Sequence, residues 1–203
     1  MSGESHPLFV LASRSPQRRR VLELLGVPFV VERTEVGEEQ RGEPRAVAIA
    51  NACRKARAVR ADLPVLGADT VVALDGAVLG EPNDAGEARS FLARLAGRTH
   101  TVTSAICLRT PDGEERIAER SARVAFRKLG ARDIDWYVAS GEWRGRAGGY
   151  AIQLRGMALV ERVEGDPTAV VGLPVAALLE LWPGLVHCEP LAPLQGQIGR
   201  AHV

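Results

Sequence analysis

The chain has 203 residues, with 26 Lys and Arg against 25 Asp and Glu and a net charge of +1, so no global field exists to hold a nucleic-acid polymer and any anion site must be local. At 46% hydrophobic and 25% charged residues the composition fits a globular protein with one sizeable core, and no apolar run approaches the roughly 20 residues that span a bilayer, which argues against a membrane partner. The start, MSGESHPLFVLAS, has no basic region ahead of its short apolar run, so the expected location is the cytoplasm.

Residues 8–12 read as a buried strand; Ser15 and Pro16 then supply an N-cap and a first helical residue, and Gly26 ends the helix. A second strand is expected over 29–34. After a polar stretch, a helix over 44–61 places Ile49, Cys53, Ala56 and Val59 near one face, with Arg54, Lys55 and Arg57 on the opposite one. Residues 65–74 form the most apolar strand, and Asp75-Gly76 before Ala77, Val78 and Leu79 signals a hairpin. Asp84 caps a helix whose buried stripe is Ala88, Phe91, Leu92 and Leu95, and Gly97 ends it. Strands over 101–109 and 117–129 are joined by Pro111-Asp112-Gly113. A helix over 133–139, a glycine-rich stretch (Gly145, Gly148, Gly149), a strand over 157–163 and a helix over 175–181 follow. The pattern is α/β with a mixed sheet, in one domain over 1–189; residues 190–203, rich in Pro, Gly and Gln and without periodicity, are expected as a flexible tail. Cys53, Cys107 and Cys188 are odd in number and in no CxxC spacing, which indicates neither a disulfide framework nor a zinc site. His6, His100, His187 and His202 have no metal-ligand spacing and read as structural or surface groups.

Three stretches bear on chemistry. In LASRSPQRRRVLELLGV, residues 11–27, Arg14, Arg18, Arg19 and Arg20 fall where a strand turns into a helix. Free backbone N–H groups and the helix dipole make such a turn an anion site, onto which Arg14 and Arg18 can fork, with Ser13 and Ser15 adding hydroxyls; a solvated helix face is the other reading. In Gly67-Ala68-Asp69-Thr70, strand alternation puts Gly67, Asp69 and Val71 on one face. An ionised Asp69 there needs a partner or an open groove, and Gly67 lets a ligand or another backbone come close. A carboxylate facing a phosphate-binding turn suits a divalent metal or the activation of a water, whereas backbone N–H groups at a strand kink would make it structural. In AGGYAIQLRG, residues 147–156, Tyr150 offers a stacking face and Gln153 both a donor and an acceptor for a base edge, unless the segment is simply a loop entering a strand.

In this order LASRSPQRRRVLELLG, NACRKARAV, GADTVVALDGAVLGEP, LAGRTHTVTSAICL and AGGYAIQLRGMALVERVEGDPTAVVGLPV resemble the signature blocks of the Maf family of nucleoside triphosphate pyrophosphatases, over residues 8–181. The resemblance implies a two-lobed α/β fold with a mixed sheet, flanking helices and a central cleft, related in architecture to the inosine triphosphate pyrophosphatases, and a homodimer. It implies conversion of a nucleoside triphosphate and water to the monophosphate and pyrophosphate with a divalent cation, Mg²⁺ or Mn²⁺. Position by position it implies Asp69, Lys55 and Glu39 for catalysis, and Ser13, Arg18, Thr70 and Gln153 for the substrate; Arg14, from the anion-site reading of the turn, can reach the same phosphate. Carboxylates would hold the metal, Asp69 and Glu39 at family positions and Glu81 because an acid beside a triphosphate needs a cation between them. The Tyr150 and Gln153 pattern resembles the branch acting on dTTP and UTP; a hydrolase of modified nucleotides and a nucleotide-binding regulator of cell division with little turnover are the alternatives. Two positions depart from the family pattern: SPRR is Ser15-Pro16-Gln17-Arg18, and GKP is Gly80-Glu81-Pro82, an acid in place of a phosphate-binding Lys.

Overall fold

Runs of β-branched and aromatic residues form a sheet, and the alanine- and leucine-rich segments cover it. The computed structural model describes residues 6–191. In chain order these form β1 (Phe9–Ala12), α1 (Pro16–Leu24), β2 (Phe29–Glu32), α2 (Pro44–Ala58), β3 (Val65–Leu74), β4 (Ala77–Leu79), α3 (Ala85–Leu95), β5 (Thr99–Arg109), β6 (Glu115–Phe126), α4 (Ala131–Ala139), β7 (Val160–Gly165), α5 (Pro167–Val171) and α6 (Val175–Leu181). The strands make one mixed sheet in the order β2-β1-β3-β5-β6-β7, with β4 on β3. β1 is parallel to β2 and β3, and the remaining pairs are antiparallel.

Alternation along β3 divides the core. Leu66 and Ala68 pack with Leu22 of α1 and Ala177 and Leu178 of α6. Farther along the same face, Val72 and Leu74 pack with Phe91 and Leu92 of α3 and Tyr137 of α4. Thr70 falls between these two packed regions, which are the two lobes. On the opposite face Val65 and Val71 lie under α2.

A gap in the pairing positions the site. β1 reaches only Val65, Leu66 and Gly67 of β3, and β4 takes up the same edge only from Val72. Between them, residues 68–71 have no strand on that edge among the described residues, while β5 pairs along the other edge. The gap opens beyond the carboxyl end of β1 and beside the N-terminus of α1, the usual place for a ligand in a parallel strand–helix unit.

Several boundaries differ from expectation. The strand expected over 157–163 begins at Val160, because Arg155–Leu159 forms a 3-10 turn. The helix over 44–61 stops at Ala58, where Val59 turns extended. The short α5, capped by Asp166 with Pro167 in its first turn, is an added element. Leu191 packs against the α1 and α6 core, so the expected tail is docked at its start; residues 192–203 lie outside the described residues. No helix among the described residues is long and apolar enough to cross a membrane.

Candidate active site

A cleft of about 500 Å³ opens over the gap in β3, lined by the β1–α1 turn, the 36–40 loop, Asp69 and Thr70, Glu81 and the 144–153 segment. The approach of α2 sets its floor. A Cβ on Gly67 would lie 2.2 Å from the carbonyl oxygen of Ala52, so only glycine lets the helix come this close. One turn apart on that helix face, Asn51 and Lys55 then reach Asp69.

The Lys55 Nζ lies 2.6 Å from Asp69 Oδ1 and 2.7 Å from Glu38 Oε1, and the Asn51 amide donates to Asp69 Oδ2 at 3.1 Å. Lys55, expected among the residues opposite the buried face, is therefore buried with Asn51 and Asp69, while Arg54 and Arg57 are exposed. The reason is the long-range partner: a buried ammonium is tolerable only when paired and hydrogen-bonded. Asn51 also clasps the 36–40 loop, accepting from the Glu39 N–H at 2.8 Å and donating to the Glu39 carbonyl at 3.0 Å. The Glu39 side chain is turned onto its own loop, accepting from the N–H groups of Gln40 and Arg41. Its neighbour Glu38 is the acid that meets Lys55.

The arginine run separates by helix geometry. Arg19 and Arg20 point outward and pair with Glu23, whereas Arg18 is buried. Its Nε donates to the Gly172 carbonyl at 2.8 Å, Nη1 to Ser13 Oγ at 3.3 Å and Nη2 to Thr70 Oγ1 at 3.1 Å. Three of the five guanidinium N–H groups are thus held by protein. Gly172 makes this possible at φ 111°, where a Cβ would lie 3.3 Å from Thr70 Oγ1. The Ser104 hydroxyl donates to the Ala169 carbonyl at 2.7 Å, so Thr70 donates to Ser104 and accepts from Arg18. Burial pulls the Arg18 guanidinium below its ordinary pKa, opposed by the fields of Asp69, Glu38 and Glu81. Ser13 Oγ also accepts from the Ser15 N–H at 3.1 Å, and Arg14 is exposed at the rim of the cleft.

The glycine-rich segment is anchored by two tyrosines. Tyr150 is buried, its hydroxyl 2.8 Å from His100 Nε2 and its ring 4.9 Å from that of Phe126; burial raises its pKa. It is a prop and not the free stacking face expected from the sequence. The Tyr137 hydroxyl accepts from the Ala151 N–H at 3.0 Å. Held in this way, the segment carries Gln153 to the cleft, and the Gln153 Oε1 is buried with no partner among the described residues. Arg146 enters the same corner: it donates through Nη1 to Gln17 Oε1, its Nε is buried and unpartnered, and Glu81 acts on it electrostatically. Desolvation lowers the Arg146 pKa.

Asn51, Glu38 and Arg146 are therefore site residues that the sequence reading missed. Asn51 had a signal, its one-turn spacing from Lys55. Arg146 had none, because only the fold brings it to Gln17 and Glu81, the two positions where basic residues of the family pattern are replaced.

The Maf family profile, described as "Maf-like protein", matches residues 8–183. A protein of Thermus thermophilus named dTTP/UTP pyrophosphatase is 51% identical over 183 residues, covering 88% of this chain and 95% of that protein. One of the same name from Deinococcus radiodurans is 45% identical, covering 91% of this chain and 96% of its own length. Among solved structures, a nucleoside-triphosphatase / dITP/XTP pyrophosphatase of Mycobacterium abscessus is 25% identical with a TM-score of 0.42, over 61% of this chain and 76% of that one. By the profile match over most of its length and by relatives this similar, the chain belongs to the Maf family.

Proposed function

We propose that this protein hydrolyses nucleoside triphosphates, dTTP and UTP foremost, to the monophosphate and pyrophosphate by attack of water at the α-phosphorus. The observation that carries the reading is the joint presence, in one cleft, of the Asp69–Lys55–Asn51 cluster and the orphaned Gln153 Oε1. The relatives named for this activity align over nearly the whole chain.

Lys55 and Asn51 fix the Asp69 carboxylate, so it can orient a water and accept its proton without rearranging. As the water oxygen bonds to the α-phosphorus, the bond to the bridging oxygen breaks and pyrophosphate leaves with that electron pair. Charge spreading over the phosphate chain meets Arg14, Arg146, the N–H groups of Arg18 not held by protein, and the N-terminus of α1. Asp69, Glu38 and Glu81 all act electrostatically on Arg18, and the cleft-lining carboxylates are hard oxygen donors that fit Mg²⁺ or Mn²⁺. The Glu39 carboxylate is engaged by the N–H groups of its own loop. A bound cation would supply positive charge against the phosphate oxygens.

For the base, an unpartnered acceptor suits the N3–H of uracil or thymine, whereas the cytosine N3 is itself an acceptor. Gln153→Ala should therefore lower the preference for dTTP and UTP over CTP by about 1 to 3 kcal/mol in relative kcat/KM. Specificity constants for the wild type and this variant over the common nucleoside triphosphates test the assignment, and an unchanged ratio would remove Gln153 from base recognition.

A further inference from the structure

Away from the cleft, α2 carries a second cluster with no part in the chemistry above. Cys53 on α2, Cys107 on β5 and Glu115 on β6 place two sulfurs and a carboxylate oxygen within 4.8 Å of one another. Both cysteines are buried. Glu115 receives Nε and Nη2 of Arg57 at 2.7 Å each, and Arg57 lies one helical turn after Cys53. No CxxC spacing announces this cluster; packing of the helix on the sheet assembles it.

We propose that Cys53, Cys107 and Glu115 bind one soft divalent cation of the zinc class, which pins α2 to β5 and β6. A tetrahedral zinc with sulfur at about 2.3 Å and oxygen at about 2.0 to 2.2 Å holds its donors roughly 3.5 to 4 Å apart. The present triangle, no wider than 4.8 Å, is near that size and closes by side-chain rotation. On binding, the two thiols release their protons to solvent, and water completes the fourth position. The ion with two thiolates and one carboxylate carries a net charge of −1, which Arg57 offsets. Thiolates select zinc over Mg²⁺ or Mn²⁺, so the site is chemically distinct from the carboxylate-lined cleft. Cys53 lies between Asn51 and Lys55 on the same helix, so a cation here steadies the segment that holds Asp69.

The test uses the full chain, reduced and freed of metal with a chelator, and titrated with Co²⁺ in oxygen-free buffer. The expected result is a thiolate-to-cobalt charge-transfer band that saturates at one ion per chain, is abolished by Zn²⁺, and accompanies a rise in the thermal midpoint with Zn²⁺. Cys53→Ser and Cys107→Ser should each remove the band. Glu115→Gln, at the partly exposed edge of the cluster, should keep the fold and weaken cobalt affinity by at least about tenfold. A band that is absent from the wild type, or that survives in both cysteine variants, overturns the proposal. So does a Cys53–Cys107 disulfide that takes up no metal once reduced.

Discussion

Asp69 combines burial, charge and access in a way no other acid of the cleft does: both carboxylate oxygens are held, yet it lines the open gap in β3. Asp69→Asn keeps the shape and removes the negative charge, and Lys55 retains Glu38 as a partner, so the fold should survive. Turnover of dTTP should fall at least about a hundredfold, with nucleotide binding retained. Steady-state rates alongside equilibrium binding of dTTP check this, and near-normal turnover would remove Asp69 from the chemistry. The sequence exposed Asp69 because a carboxylate inside an apolar strand needs an explanation. Periodicity put Lys55 on the face opposite the buried one, because its burial follows from pairing with Asp69 on a neighbouring element, and the sequence could not separate Glu38 from Glu39, adjacent acids that differ only in the turn of the loop. Tyr150 was misread for a similar reason, since an aromatic ring in a glycine-rich stretch looks the same whether it faces the cleft or fills the space beside His100 and Phe126.

Among the elements, α2 has the most consequence for the site, because it delivers Asn51 and Lys55 only if it sits directly on β3. Gly67→Ala would set a Cβ 2.2 Å from the Ala52 carbonyl oxygen and 2.7 Å from the Ala56 nitrogen, both backbone atoms. The helix must lift, which should cost about 1 to 3 kcal/mol of stability and a larger share of activity as Asn51 and Lys55 withdraw from Asp69. Denaturant unfolding and turnover, measured together, check it; a fully active variant of normal stability would contradict the close approach. Elements with a clear apolar pattern were legible: the helix expected over 175–181 is α6 as observed, and the strand over 65–74 is β3. Those missed were short. α5 has five residues, and the 3-10 turn before β7 follows a backbone path that hydrophobic periodicity does not encode.

At the scale of the whole molecule, the two lobes meet around Thr70, and the Tyr150–His100 contact ties the glycine-rich segment to the sheet. Burial lowers the His100 pKa from 6.5 to about 4. Between those values the unfolded chain binds a proton that the folded chain does not, so this group leaves stability unchanged above about pH 6.5 and erodes it as pH falls toward 4, by about 3 kcal/mol in full. Urea midpoints over that range should fall more steeply for the wild type than for His100→Phe, and parallel curves would contradict the buried neutral imidazole. The cleft itself, where β1 ends and β4 has not begun, depends on strand registers that no local pattern specifies, which is why the sequence pointed to the site residues sooner than to the gap that gathers them. The central claim is water attack at the α-phosphorus. Its most direct test is turnover of dTTP with a divalent cation in ¹⁸O-enriched water, with the products separated and weighed by mass spectrometry. The expected result is equal amounts of dTMP and pyrophosphate, with the label in dTMP; label in pyrophosphate, release of dTDP and orthophosphate, or recovery of intact dTTP would contradict it.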